Sequence, residues 1–229
     1  MNALKRINLY FTTFEKLLWL FSVAITIAVF LAFKNTNYVT LASCITGVTS
    51  LIFCAKGNPV GMALMIIFAT FYGIISFVCR YYGEVITYVG MSMPMSVLSL
   101  ISWLKNRHTK TEVKVKDVTK KDLYILIIAT IVVTVSFFFI LKALNTANLL
   151  VSTLSISTSF IAVYFTYKRS PYFALAYAVN DIVLIVLWTV QSFISITYVS
   201  VAVCFTIFLV NDLYSYFNWL KMRKRQSKK

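Results

Sequence analysis

Long apolar stretches, each about as long as a lipid bilayer is thick, follow one another along almost the whole chain. The hydrocarbon core of a bilayer is about 30 Å thick and needs roughly 20 apolar residues per helix. Eight such stretches lie at Leu17 to Phe33, Tyr38 to Ala55, Val60 to Cys79, Val85 to Leu104, Leu123 to Leu141, Leu149 to Tyr167, Tyr172 to Ser192 and Ile194 to Leu220. Of the 229 residues, 60% are hydrophobic and only 13% are charged, which excludes an ordinary soluble domain.

The length of these stretches predicts helices, because a membrane β-barrel would show short segments of alternating polarity. The first stretch resembles a secretory signal in position, but it has no obvious small-residue cleavage site and is followed by Lys34, so we interpret it as a helix. We predict an all-α membrane protein with eight transmembrane helices.

Basic residues collect on one side of this arrangement. An even number of spans puts both termini on the same side, together with all of the 22 lysines and arginines except Lys34, Arg80 and Lys142. The positive-inside rule then predicts a multi-pass membrane protein with both termini in the cytoplasm. The net charge of +15 follows from this topology, so we expect the basic tail to contact anionic lipid and expect no nucleic-acid partner.

Two short markers each occur twice, in the same order. The Lys56 to Pro59 segment recurs as Lys168 to Pro171, and Trp103-Leu104-Lys105 recurs as Trp219-Leu220-Lys221. The copies lie four spans apart and therefore have the same orientation, which predicts a parallel repeat about an axis along the membrane normal, as in transporters. The predicted units are an N-terminal segment and extra helix (1–36), a first three-helix bundle (37–107), a loop and linker helix (108–146), a second three-helix bundle (147–220) and a basic tail (221–229).

Cysteine and histidine give no sign of metal, cofactor or enzyme chemistry. Cys44, Cys54, Cys79 and Cys204 lie inside predicted spans without metal-like spacing, and His108 is in a charged loop. HExxH, GxSxG and P-loop motifs are absent from the sequence. We therefore expect neither a bound metal nor a cofactor, and no enzymatic activity.

Two aspartates lie well inside apolar sequence. Asp181 and Asp212 each follow an asparagine, Asn180 or Asn211. A charge at the centre of a membrane helix costs about 2.5 to 3.5 kcal/mol and usually marks a functional site. At about 1.5 Å per residue, both asparagines lie roughly 12 to 13 Å from the cytoplasmic surface, so the two pairs are expected at one depth and on a shared pocket.

Further polar and aromatic residues lie on the same helical faces. Amides and an indole on one face suit a small, flat, polar ligand, although such amides also hydrogen-bond helix to helix. Glu84 could instead pair with Arg80, four residues earlier. The predicted substrate-binding residues are Asn180, Asp181, Trp188, Gln191, Asn211, Asp212, Tyr214, Tyr72, Asn218 and Glu84.

One proline interrupts the fourth span. Pro94 lies in the segment from Met91 to Met95 and removes a backbone hydrogen bond, so it predicts a kink. A kinked helix is a candidate hinge, although many prolines in membrane helices only bend them.

At these residues the chain resembles the PnuC family of vitamin and nucleoside-type transporters. The matching stretches are Ala55-Lys56-Gly57-Asn58, Tyr81-Tyr82-Gly83-Glu84, Pro94, Trp103-Leu104-Lys105-Asn106, Asn180-Asp181-Ile182-Val183-Leu184 through Trp188, and Asn211-Asp212-Leu213-Tyr214 through Asn218-Trp219. The resemblance implies a three-one-three helix fold similar to the SWEET sugar transporters, with an extra N-terminal helix.

The resemblance also implies a function and a small-molecule partner. It implies facilitated diffusion of nicotinamide riboside, which phosphorylation traps in the cytoplasm, or else of thiamine, riboflavin or a deoxynucleoside. Asp181 or Asp212 would offset the positive pyridinium ring, and Trp188 would add a cation–π contact of about 0.5 to 2 kcal/mol. The sequence leaves open whether the protein is a monomer or a homo-oligomer, and whether ions couple to transport.

Overall fold

The computed structural model describes residues 10–33, 37–146 and 148–228. Within these residues it is helical, without a named strand, and eight helices are long and apolar enough to cross a membrane. They are α1 (Thr13–Ala32), α2 (Tyr38–Ala55), α3 (Val60–Val78), α4 (Tyr82–Lys105), α5 (Lys120–Ala143), α6 (Leu149–Tyr167), α7 (Tyr172–Ser192) and α8 (Val199–Gln226). The predicted all-α class and the eight helices are confirmed.

The bundle has two distinct ends. We call the end with the last turn of α8, which carries Arg223, Lys224 and Arg225, the basic end, and the opposite one the far end. We call α2–α4 the first bundle and α6–α8 the second bundle. The two bundles meet where α8 packs on α2 and where α4 packs on α6. The helix α5 contacts α6 and presents an apolar surface outwards, including Ile128 and Phe139, as expected for a lipid-facing helix.

Capping boxes determine where α1 and α5 begin. Thr12 accepts a hydrogen bond from the backbone of Glu15, whose carboxylate accepts one from the backbone N–H of Thr12. Thr119 and Asp122 form the same box at the start of α5. Each box satisfies backbone donors that would otherwise lack partners at a helix N-terminus. Both helices therefore begin a few residues before their apolar stretches do.

The helix α4 is irregular where the sequence predicts an interruption. It consists of an α-helical turn (Tyr82–Val85), a π-helical segment (Ile86–Ser92) and a regular α-helix (Met93–Lys105). Pro94 is near the start of the regular part. Because proline cannot donate a backbone hydrogen bond, the preceding residues have rearranged their pairing, and the change takes the form of a π segment.

The two copies of the first marker form turns with the same backbone conformation. Gly57 and Arg169 both have a left-handed φ, of 64° and 59°, and the prolines that follow have φ −55° in both turns. The residue after each left-handed position donates to a helix carbonyl five residues back, at 3.0 Å. Arg169 holds a conformation that is unfavourable for a residue with a side chain, whereas Gly57 does so without steric strain.

The two copies of the second marker join the bundles by crossed hydrogen bonds. Trp103 of the first bundle donates its indole N–H to the Thr166 carbonyl of the second, at 3.0 Å. Trp219 of the second bundle donates to the Cys54 carbonyl of the first, at 2.8 Å. Both indoles are fully buried, with ring centroids 5.4 Å apart. The basic end is therefore closed by two equivalent contacts.

Ion pairs extend this correspondence to α1 and α5. The carboxylate of each capping box binds the lysine of the nearby marker: Glu15 lies 3.0 Å from Lys56, and Asp122 lies 2.6 Å from Lys168. The Asp122 carboxylate raises the pKa of Lys168. The sequence interpretation assigned α1 and α5 to an addition and a linker. In the structure, both helices make the same kind of contact with the marker turn beside them.

Close packing at Gly47 positions α8 against α2. A Cβ atom at Gly47 would lie 2.2 Å from the ring of Phe208, so only glycine allows this approach. Phe208 also packs on Phe68 of α3, with ring centroids 5.3 Å apart. Phe68 and Phe208 both belong to the apolar core between the bundles.

Replacing Trp219 by phenylalanine should lower the free energy of unfolding by about 1 kcal/mol, because it removes one buried hydrogen bond while keeping an apolar ring. Trp103→Phe should have a similar effect. Trp19→Phe is the control, since Trp19 is 37% exposed and its bond to Thr49 lies at the surface. Thermal unfolding in detergent measures the change, and a Trp219→Phe protein as stable as the native one would contradict the role given to these bonds.

Candidate functional site

Three of the predicted site residues lie close together between the bundles near the far end, namely Tyr72, Trp188 and Gln191. The Trp188 indole of α7 donates to the Tyr72 hydroxyl of α3, at 2.6 Å. The Tyr81 hydroxyl, just before α4, donates to Gln191 of α7, at 2.8 Å. Burial raises the pKa of Tyr81 to about 12, so this hydroxyl keeps its proton. Trp188 is four residues from the end of α7, roughly 6 Å along the helix, so this group lies nearer the far end than the midplane.

Aromatic rings surround this pair of hydrogen bonds. The Tyr88 ring lies 4.3 Å from that of Tyr72, and Tyr81 and Phe205 present their edges to Trp188 and Tyr72, at 5.3 and 5.4 Å. Rings in such tilted and edge-to-face arrangements pack favourably and offer both faces and edges to a flat ligand. We call Tyr72, Tyr81, Tyr88 and Trp188 the aromatic cluster.

Glu84 reaches into the same region from the first turn of α4. It is fully buried, and neither carboxylate oxygen has a hydrogen-bond partner among the described residues. The hydroxyls of Tyr72 and Ser155 are its neighbours. The expected pair with Arg80 does not form, because Arg80 is exposed in a left-handed turn at the far end. A buried carboxylate without a partner is unfavourable, so this position is suited to a positively charged or hydroxyl-bearing ligand.

Asn180 is bound to a neighbouring helix of its own bundle. Its side-chain oxygen accepts hydrogen bonds from Thr158 and Ser159 of α6, at 2.7 and 2.9 Å. The Tyr88 hydroxyl also faces this amide. Asn180 therefore holds α6 against α7 and lies at the edge of the aromatic cluster.

Asp181 and Asp212 face one another between α7 and α8. Their carboxyl groups are within hydrogen-bonding reach, and the two residues are only 3% and 2% exposed. Each has one further oxygen without a partner among the described residues. Two carboxylates in contact repel one another, so the contact is favourable when the pair shares a proton. The two aspartates are thus partners of each other.

Three predicted site residues of α8 face away from the aromatic cluster, namely Asn211, Tyr214 and Asn218. Asn211 donates to Ser22 of α1 at 3.2 Å, and Tyr214 donates to Glu15 of α1 at 2.9 Å. Asn218 donates to a carbonyl at the end of α2, at 2.7 Å. The structure therefore does not bring Asn211 together with Asn180. Successive helical residues point about 100° apart, so Asp212 reaches α7 while Asn211 reaches α1.

Tyr214 and Asn218 line a cavity of about 430 Å³ at the basic end. Glu15 in its wall is bound to Lys56, and Glu112 to Arg225. Its carboxylates are therefore already paired. The lining residues are Tyr10, Thr12, Phe14, Glu15, Lys56, Thr111, Glu112, Tyr214, Asn218, Lys221, Met222 and Arg225.

The binding residues predicted from the sequence did not include Tyr81, Tyr88 or Ser155. Tyr81 is fully buried because the left-handed residue before it turns the chain back into the bundle. A hydrophobic pattern carries no signal for such a turn. Tyr88 lies in the π-helical segment, where the usual helical spacing does not give the face of a residue.

Most of the chain matches a known protein family. Residues 37–221 match the family described as "Nicotinamide mononucleotide transporter". A relative from Neisseria mucosa, "Nicotinamide riboside transporter PnuC", is 26% identical over 223 residues, which cover 94% of this chain and 84% of the relative.

A solved structure has the same fold. The protein described as "Crystal structure of the Vitamin B3 transporter PnuC" superposes with a TM-score of 0.83 and 24% identity, and the match covers 94% of each chain. The helices that carry the aromatic cluster and Glu84 all lie within the residues that match the family. The chain belongs to the nicotinamide mononucleotide transporter family.

Proposed function

We propose that this protein is a transporter that carries nicotinamide riboside across the inner cell membrane by facilitated diffusion. Phosphorylation in the cytoplasm then traps the substrate, and both termini lie on the cytoplasmic side. The observation that carries the proposal is the buried Glu84 carboxylate, which has no partner among the described residues and lies beside the aromatic cluster. The names of the family and of the Neisseria mucosa relative support this class of substrate.

The chemistry of the riboside matches these groups. Its pyridinium ring is flat and positively charged, and it carries a carboxamide and ribose hydroxyls. Glu84 offsets the ring charge, and Trp188 and Tyr72 add cation–π contacts of about 0.5 to 2 kcal/mol each. The amide of Gln191 binds the carboxamide or a hydroxyl. Asp181 and Asp212 were expected to offset the positive charge of the pyridinium ring. They instead face each other, so we assign the charge compensation to Glu84.

The charge of Glu84 favours the riboside over the mononucleotide. A phosphate monoester carries close to two negative charges near neutral pH. Placing a phosphate beside a buried carboxylate brings like charges together where the dielectric constant is low, and their repulsion disfavours binding. The phosphorylated product is therefore a poor substrate for the same site, as trapping requires.

The alternative is another ring-bearing vitamin or nucleoside carried by the same fold. Thiamine is cationic and would also be neutralised by Glu84, whereas riboflavin and deoxynucleosides are uncharged and would leave the carboxylate unpaired. Among these alternatives the carboxylate favours thiamine.

Uptake into proteoliposomes tests the proposal directly. With neither ATP nor an ion gradient, labelled nicotinamide riboside should enter until its concentrations inside and outside are equal. Uptake no greater than in protein-free vesicles, together with transport of thiamine or a deoxynucleoside, would reject the substrate. Accumulation that depends on a pH gradient would show ion coupling through buried groups such as Asp181 and Asp212.

Replacing Glu84 by glutamine should weaken binding of nicotinamide riboside about 10- to 100-fold, because a contact to a charged group contributes about 1.5 to 3 kcal/mol. Calorimetry on the purified protein measures the change. The reduced, uncharged form of the riboside is the matched control, and it should bind to both proteins with similar affinity. Equal weakening for the charged and uncharged forms would mean that Glu84 acts on the structure of the site and not on the ring charge.

Trp188→Phe should weaken riboside binding by about 2- to 30-fold, since phenylalanine gives a weaker cation–π contact and cannot bind Tyr72. Trp19→Phe, in the exposed face of α1, should leave the dissociation constant unchanged. Quenching of protein fluorescence by the riboside would be weaker after Trp188→Phe than after Trp19→Phe. The reverse order would place the ligand elsewhere.

A further inference from the structure

The segment that joins α4 to α5, residues 106–119, lies across the basic end. We call it the strap. Arg107 and Val113 form an antiparallel bridge, flanked by hydrogen bonds from His108 to the Glu112 carbonyl and from Lys114 to the Asn106 carbonyl, both 2.8 Å. The first part of the strap is thus a small hairpin.

The strap binds the marker turn of each bundle. The backbone N–H of Val113 donates to the carbonyl of Gly57 in the first bundle, at 3.0 Å. The backbone N–H of Lys116 donates to the carbonyl of Arg169 in the second bundle, also at 3.0 Å. One short segment therefore crosses the boundary between the bundles and is attached on both sides.

Val113 anchors the strap in the core, and Val115 packs beside it, partly buried, against the same apolar cluster. Val113 is fully buried and belongs to an apolar cluster with Trp103, Trp219 and Met222. These are the indoles whose crossed hydrogen bonds close the basic end. Val113 thus covers the contact between the bundles from the outside.

The remaining contacts tie the strap to the last turns of α8. The side chain of Gln226 accepts from the backbone of Val115 at 2.8 Å and donates to the Val113 carbonyl at 3.0 Å. Arg225 pairs with Glu112, and Arg223 pairs with Asp117. These arginines are 62% and 34% exposed, and exposed ion pairs are weak. One buried valine, one partly buried valine and mostly surface contacts make a closure that can be released.

We propose that the strap is the gate of the basic end and must lift for substrate to pass there. A passage at this end requires the two bundles to separate, which moves Gly57 away from Arg169. The strap cannot keep its hydrogen bonds to both turns during that movement. The contact between Lys116 and the Arg169 turn is the one that breaks, because Lys116 is exposed whereas Val113 is buried beside Gly57. This inference rests on the proposed transport function and adds the element that controls one side of it.

A covalent tether tests the gate. In a protein whose four cysteines are replaced by alanine, Lys116→Cys/Arg169→Cys places two thiols at positions whose backbones are hydrogen-bonded, within disulfide reach. Oxidation should lower riboside uptake at least tenfold, and dithiothreitol should restore it. The control is Asn106→Cys/Lys114→Cys, which closes the hairpin on itself and leaves the strap free to lift. Uptake in the oxidised control should stay within twofold of the reduced form.

The degree of cross-linking is read by mass spectrometry, and a short thiosulfonate linker completes any tether that oxidation leaves open. Full uptake by the completely tethered Lys116→Cys/Arg169→Cys protein would overturn the proposal. The reduced protein shows separately whether riboside is carried, because failure of the proposed substrate would abolish uptake in the reduced and oxidised forms alike.

A second measurement does not depend on the substrate. Cys54 is 1% exposed beneath Val113, in the same apolar cluster. With Cys54 retained as the one free thiol, tethering Lys116→Cys to Arg169→Cys should slow its alkylation by maleimide at least tenfold relative to the Asn106→Cys/Lys114→Cys tether. Equal alkylation rates in the two tethered proteins would show that the strap does not govern access to the basic end.

Discussion

Polar groups inside a lipid bilayer find no water, and the need to give each one a partner governs how these helices meet. Trp103 and Trp219 bind helix-end carbonyls of the opposite bundle, and Asn180 binds two hydroxyls of α6. Each contact fixes the rotation of a helix, because an unsatisfied polar group in hydrocarbon costs several kcal/mol. Apolar packing alone would leave those rotations nearly free, since lipid chains are as apolar as the side chains.

Several buried polar atoms lack such a partner among the described residues, and the proposed function depends on one of these residues, Glu84. Its neighbours are positioned by other bonds: Tyr72 accepts from Trp188, and Tyr81 binds Gln191. These bonds hold the walls around the carboxylate while its own oxygens have no partner among the described residues. In the proposed site, a bound cation would offset the unfavourable free energy of that burial, so the same constraint that packs the helices would also select the ligand.

The sequence predicted those features that depend on local pattern. Span length gave the eight helices, and the repeated markers pointed to turns and indoles that have matching contacts in both halves. The direction of side chains on α8 was not predictable, because Asn211 and Asp212 differ by about 100° and only tertiary packing decides which one faces α7. Glu84 was among the predicted site residues, but the sequence also allowed an ion pair with Arg80, four residues earlier. The left-handed turn at Arg80 prevents that pair, and no sequence pattern indicates such a turn.

Hydrogen bonds join the bundles at both ends of the molecule. At the basic end they include the indole bonds of Trp103 and Trp219 and the bond from Asn218 to the Ala55 carbonyl. Near the far end they include the bonds of Trp188 and Tyr81. A neutral hydrogen bond contributes about 1 kcal/mol, so each end is held by several individually weak contacts. Such contacts suit the proposed carrier, because ligand binding of modest energy is then enough to shift the population of open states.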